Sequence, residues 1–241
     1  HRLAVINLTK KQLDEAFPVL VLSAEKPAAN GIGTVKFNIP TAYSHSALKH
    51  ALKPGSKWGY LYAAFGSAGD QQPYHGWLFE IDMDAWHAPK QEVMNAIPKP
   101  AISSVLLTTP ETECPTKKDW VGSHEQMVCG GGIWTPAGPQ IYPSGDEYEL
   151  FVPTGNGQID LGRHDYANTL MRVKPGLNFD AGCDATLCAK FNPANPDKAC
   201  ITSCKNLFIP RLQEGDAPLR PAGGDCDKKS FLECLAWMDY D

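Results

Sequence analysis

The feature that most constrains this 241-residue chain is a pair of apolar strand signals that returns 88 residues later. The first pair is Tyr60-Leu61-Tyr62-Ala63-Ala64-Phe65-Gly66 and, after a polar loop, Gly76-Trp77-Leu78-Phe79-Glu80-Ile81-Asp82. The second pair begins with Tyr148-Glu149-Leu150-Phe151-Val152, stops at Pro153-Thr154-Gly155-Asn156-Gly157, resumes at Asn168-Thr169-Leu170-Met171-Arg172-Val173 and ends at Lys174-Pro175-Gly176. Aromatic and β-branched runs bounded by Gly, Pro and Asn read as strands with turns between them. Residues 106–109 read as another short strand, and residues 2–8 as the last strand of a further, truncated unit. Helical periodicity is poor; the helix candidates are residues 11–17 and 230–237. The 21 glycines and 20 prolines are scattered, as many short strands joined by tight turns require. The fold class is therefore all-β. The recurrence spans about two supersecondary units of ~40–50 residues each.

Eight cysteines are many for a reducing compartment, and they lie close together along the chain: Cys114 and Cys129, Cys183 and Cys188, Cys200 and Cys204, Cys226 and Cys234. An even, clustered set points to disulfides and to a secreted, periplasmic or cell-surface protein. Short loops close easily, so the expected pairing is between nearest neighbours. Residues 180–227 hold five of the eight, with many prolines and few apolar runs. We expect a loop-rich insertion there that depends on cross-links. It lies between the strand-rich residues 1–179 and a return to the same architecture at 228–241.

Three stretches carry a family resemblance. Residues 62–67 followed by Tyr74-His75-Gly76-Trp77 are similar to the "FGS…YHGW" stretch of propellers related to pyrroloquinoline quinone enzymes. Gly130-Gly131-Gly132-Ile133-Trp134 resembles their "GGGIW" segment. Residues 151–157 with Asn168-Thr169-Leu170 resemble their "YVATGNG…DSLLKL" segment. The matches fall in the same order and cover roughly residues 58–175. The resemblance implies β-propeller blades of four antiparallel strands round a channel, here with the Cys-rich loop insertion. The chain is short for a ring, so we expect part of one, the remainder being more of the same protein or a separate partner chain. Starting at His1 without Met fits a cut terminus or a fragment.

The same resemblance does not carry quinone catalysis with it. Quinoprotein alcohol dehydrogenases have an adjacent cysteine pair beside the cofactor, and no two cysteines here are adjacent. A quinoprotein-like oxidoreductase using pyrroloquinoline quinone and calcium is therefore the second reading. For it, the ligand-contacting candidates are His75, Trp77, Trp134, Asn156 and Asp165. His75, in a loop between strands, offers an imidazole for metal or proton transfer; the plainer reading is a structural His and Trp locking neighbouring blades. Gly130-Gly131-Gly132 permits close backbone approach, for an anion or simply for crowded strands. Asp160, His164 and Asp165 supply oxygen-rich ligands of the kind calcium takes, without EF-hand spacing; Asp184, Asp225 and Asp227 are similar. Cys183, Cys188, Cys200 and Cys204 have poor spacing for a zinc knuckle. A terminal His1 could chelate copper only with a second histidine nearby, such as His45, His50 or His75. Asn7-Leu8-Thr9 is an N-glycosylation sequon, meaningful in a eukaryotic secretory context.

Several classes lack support. The net charge is −5 with no basic run, which argues against nucleic acid as a partner. No apolar run approaches the roughly 18 residues of a membrane-spanning helix. No G-x-S-x-G elbow or phosphate-binding glycine loop is present. The leading functional expectation is a binding or assembly scaffold without catalysis; a self-assembling structural component of the envelope is a third possibility.

Overall fold

The computed structural model describes residues 1–67, 74–87, 100–114, 117–118, 125–126, 129–157, 159–191 and 197–209. Cys226, Cys234, Asp225, Asp227, the helix expected at 230–237 and the chain beyond residue 209 lie outside the described residues.

The first fifty residues form short strands: β1 (Arg2–Leu3), β2 (Ile6–Asn7), β3 (Gln12–Leu13), β4 (Leu20–Val21), β5 (Glu25–Pro27), β6 (Thr34–Lys36), β7 (Ala42–Tyr43) and β8 (Lys49–Ala51). β1 pairs β4, β2 pairs β3 and β5 pairs β6, all antiparallel. Two sequence expectations are corrected here. The strand expected at 2–8 is two dipeptide strands that take different partners. The helix expected at 11–17 is absent: residues 12–13 pair with β2, and the Asp14 carboxylate accepts from the Ala16 amide at 3.1 Å. That local turn competes with helix hydrogen bonding. It places Phe17 edge-on to Trp58 and Trp86.

Two larger antiparallel sheets follow. The first contains β9 (Tyr60–Ser67), β10 (Trp77–Asp82) and β11 (Ile102–Leu107), with α1 (Met83–Trp86) after β10. β10 lies between β9 and β11, and β7 and β8 pair with opposite ends of β9. After the dipeptide pair β12 (Lys117–Lys118) and β13 (Glu125–Gln126) come β14 (Gln140–Ser144), β15 (Glu147–Pro153), the hairpin β16 (Ile159–Asp160) and β17 (Asp165–Tyr166), and β18 (Leu170–Val173). α2 (Ala185–Cys188), α3 (Lys198–Ser203) and β19 (Leu207–Phe208) complete the described chain. The second sheet has the order β14-β15-β18-β19.

The sheet faces follow from side-chain alternation. On β9 and β10, Tyr60, Tyr62, Ala64 and Leu78 join the core shared with the second sheet. Ala63, Phe65, Trp77, Phe79 and Ile81 join a separate core under the N-terminal strands, with Phe17, Leu22, Val35 and Phe37. Burial on both faces explains the almost unbroken apolar run of β10. β15 instead alternates, with Tyr148, Leu150 and Val152 buried and Glu149 and Phe151 on the outer side. The molecule is all-β in character, and both large sheets are open among the described residues.

The cysteine-rich segment joins this core. Ile201, Leu207 and Ile209 are buried in the shared core, and β19 forms the edge of the second sheet. Cys114–Cys129 is a disulfide, as nearest-neighbour pairing predicts. The other expected pairs, Cys183–Cys188 and Cys200–Cys204, do not form; the bonds are Cys183–Cys204 and Cys188–Cys200. α2 and α3 pack against each other, so each cysteine in or beside one helix meets a cysteine in or beside the other rather than its neighbour in sequence. The two bonds are nested, and all four sulfurs are engaged in them. Three disulfides are consistent with an extracytoplasmic location. No described helix is long and apolar enough to cross a membrane.

Candidate functional site

The motif residues converge on one strip of backbone, residues 129–134, threaded between the ends of the two sheets. The Gly130 amide donates to the Tyr74 carbonyl at 3.1 Å and the Gly76 amide to the Gly130 carbonyl at 3.2 Å. On the other side the Gly131 amide donates to the Asn156 carbonyl and the Gly155 amide to the Gly132 carbonyl, at 2.8 and 2.7 Å. The Gly130 and Gly131 amides are thus engaged with the neighbouring chain and are not turned toward an anion. A side chain at Gly76 would strike the Gly131 carbonyl oxygen at 1.9 Å, so this crossing requires glycine.

Trp134 sits in a cradle of three glycines drawn from three separate motifs. A Cβ at Gly66, Gly132 or Gly155 would lie 2.7, 2.7 or 2.5 Å from its indole. Trp77 faces the other way, 2 % exposed, edge-on to Phe37 and stacked with Phe79. It does not share a site with Trp134. Asn156 meets the Tyr74 hydroxyl at 3.4 Å beside the glycine strip.

His75 is buried beside the Cys114–Cys129 disulfide. Its Nδ1 is 2.7 Å from the Thr109 carbonyl oxygen. A carbonyl only accepts, so Nδ1 carries the proton and Nε2 presents a lone pair, 3.8 Å from Cys114 Sγ. Burial pushes the imidazole down to about 4, against the partial support of the Thr109 hydrogen bond. The ring is neutral near neutral pH.

Asp165, on β17, is wholly buried, and neither carboxylate oxygen has a donor. Its neighbour Glu111 is held by Arg163, with Nε 2.7 Å from Oε1 and the second guanidinium nitrogen 3.1 Å from Oε2. Burial, then the Glu111 and Asp160 charges, push Asp165 up to about 8, with Arg163 opposing. A proton on Asp165 relieves the repulsion and supplies a hydrogen bond to Glu111. Asp160 accepts from the Gly162 amide, and the His164 ring meets the Tyr166 hydroxyl. Among the described residues the groups with three or more clustered metal-donor side chains are His75–Cys114–Cys129 and Cys183–Cys188–Cys204; Asp160, His164 and Asp165 do not form one. Asp184 caps α2. His1 packs against Phe37 and Phe65, its Nε2 2.9 Å from the Ala42 carbonyl oxygen, and belongs to neither group.

Sequence reasoning missed a second polar centre, between the sheets. Glu80 is 2 % exposed and fully engaged. It accepts from Tyr62 Oη (2.8 Å), Ser103 Oγ (2.7 Å) and the Gly176 amide (2.7 Å). Tyr62 in turn meets Tyr148 Oη at 2.7 Å. Burial raises both phenols, Tyr148 to about 12. A pocket of about 460 Å³ opens onto this network, bordered by Lys53, Tyr60, Glu80, Asp146, Glu147 and Tyr148. One signal was available: Glu80 is a lone acid inside an apolar strand. Glu111 carried no comparable signal.

Compared with protein-family models, curated proteins and solved structures, the chain matches none.

Proposed function

We propose that this chain is a stretch of an extracytoplasmic β-propeller of the quinoprotein-like group that acts as a binding or assembly scaffold, without catalysis. Two features support the propeller reading. The second sheet runs β14-β15-β18-β19, and the first runs β11-β10-β9 with β7 and β8 end to end on the outer edge of β9. Each is therefore four antiparallel positions deep, in the order of the chain, as a blade is. The glycine motifs of the resemblance also meet at one backbone crossing, as expected where blades crowd together.

The observation that carries the non-catalytic reading is the fate of the candidate side chains. His75 and Trp77 are buried, and Trp134 is clasped by glycines. Their chemistry is used to hold the chain together, which supports a locking role over contact with a cofactor. A surface for small ligands is offered instead by the pocket over Glu80 and Tyr148. The remaining blades or a partner chain complete the ring in this reading.

Protein purified from its native source tests both halves. We expect a native mass above the 26.3 kDa of this chain. We also expect no quinone absorbance, and no alcohol or sugar oxidation with an artificial electron acceptor after addition of pyrroloquinoline quinone and calcium. A quinone band lost on chelation, with activity restored by calcium, would establish the oxidoreductase in place of the scaffold. A 26.3 kDa particle with no partner would remove the ring.

A further inference from the structure

We propose that His75, Cys114 and Cys129 form a redox-gated site for a thiophilic metal ion, closed while the disulfide is intact and open when it is reduced. The ring nitrogen and the two sulfurs all lie within 4.8 Å of one another. Zinc binds sulfur at about 2.3 Å and imidazole at about 2.0–2.1 Å, so tetrahedral donors stand roughly 3.5–3.8 Å apart. His75 Nε2 and Cys114 Sγ are already 3.8 Å apart. The Cα atoms of Cys114 and Cys129 are separated by 5.2 Å. Side-chain rotation can therefore bring the two released sulfurs to ligand spacing without moving the backbone far.

The histidine is prepared for this role. A metal-binding imidazole characteristically donates its other N–H to a carbonyl or carboxylate, which fixes tautomer and ring orientation. The Thr109 carbonyl does this at 2.7 Å, leaving Nε2 as the free donor pair on the sulfur side. The residue is anchored through its backbone too: residue 75 bridges Gly130, the neighbour of Cys129. Two of the three ligands are thus held to the same glycine strip. Cys129 and His75 are buried, while Cys114 is partly exposed and gives access. Two thiolates and one imidazole suit zinc(II) or copper(I) rather than calcium, and the fourth position is left for water or a solute.

The chemistry has two steps. A dithiol reductant attacks one sulfur of Cys114–Cys129; the S–S bond breaks, both cysteines leave as thiols, and the reductant becomes a disulfide. The metal then replaces the two thiol protons, which go to solvent, and takes the Nε2 lone pair. Oxidation and metal binding exclude each other, because each requires the same two sulfurs.

The test uses the full chain, reduced anaerobically with a phosphine and titrated with cobalt(II) or zinc(II). The cysteines at 183, 188, 200 and 204 can take an ion of their own once reduced, so the readout is a difference. The wild type should hold one more equivalent than Cys114→Ser/Cys129→Ser. It should show thiolate-to-cobalt charge transfer and, by X-ray absorption on zinc at the additional site, two sulfurs with one imidazole. His75→Ala should bind that ion more weakly by at least the roughly 10–100-fold that follows from losing only an orienting partner. Zinc should also slow alkylation of Cys114 and Cys129 in the wild type, as followed by peptide mass spectrometry. Circular dichroism of each reduced variant shows whether it keeps its strands, and alkylation protection in the wild type needs no variant. Equal stoichiometry in wild type and double-serine protein, or alkylation unaffected by zinc, would overturn the proposal.

Discussion

The hydroxyls of Tyr62 and Tyr148 meet 2.7 Å apart at the interface of the two large sheets. The Tyr62 proton is committed to Glu80, so Tyr148 donates to Tyr62 and the chain of hydrogen bonds has a direction. The ordering from Tyr148 to Tyr62 to Glu80 makes the two phenols unequal. Tyr62→Phe removes a donor from a buried carboxylate and should cost about 1–3 kcal/mol; Tyr148→Phe should cost about 0.5–1.5 kcal/mol. Urea unfolding of both variants and of the double variant measures the asymmetry. Equal losses would mean that the Glu80 contact is not the stronger link.

Asp165 should give the protein a pH dependence opposite to that of an ordinary salt-bridged carboxylate. In the unfolded chain it titrates near 3.8, and in the folded chain near 8. Between those values the native state keeps a proton that the unfolded state has lost. Stability therefore falls as pH rises through this window, by up to about 1.4 kcal/mol per pH unit, and levels off above it. Asp165→Asn should lack this slope and be the more stable protein above about pH 8. Parallel denaturation curves for parent and variant over pH 4 to 9 would contradict the assignment.

The glycine cradle predicts a specific rescue. Gly66→Ala, Gly132→Ala and Gly155→Ala each drive a methyl into the Trp134 indole, at a cost of about 1–3 kcal/mol. In a Trp134→Leu background that cost should shrink, because the obstructing ring is gone. Gly76→Ala should not be rescued, since its methyl meets the backbone carbonyl of Gly131. Thermal unfolding of the singles and doubles separates the two kinds of glycine.

Disulfide mapping under non-reducing conditions should recover Cys183–Cys204 and Cys188–Cys200. Replacing Cys188 and Cys200 together by serine should cost about 2–4 kcal/mol. A map showing Cys183–Cys188 would mean that α2 and α3 do not pack against each other.

How far the fold was legible depended on whether one strand carried its own signal. β9 and β10 are apolar enough to be read directly, because both their faces are covered. β11, Ile102–Leu107, was caught only at its end: the reading at 106–109 missed residues 102–105, since Ser103 and Ser104 interrupt the apolar run. Those serines serve Glu80 and the Gly176 carbonyl, contacts 23 and 72 residues distant in sequence. The dipeptide strands near the N-terminus are too short for a periodicity, and the pairing of the helical cysteines is decided by tertiary packing. Among site residues, His75, Trp134 and Asp165 stood out by type and by motif. Their partners Thr109, Gly66 and Glu111 did not, because proximity across loops leaves no mark on local sequence.

The nested arrangement of Cys183–Cys204 around Cys188–Cys200 has a topological result for a chain that meets a protease. A protease that cuts between residues 188 and 200 opens the inner ring but releases nothing, since both bonds still tie the new ends together. The strand at 207–208, downstream of the cut, stays leashed to the sheet upstream of it. A clipped molecule would travel as one species on a gel until a reducing agent is added, and only then fall into two.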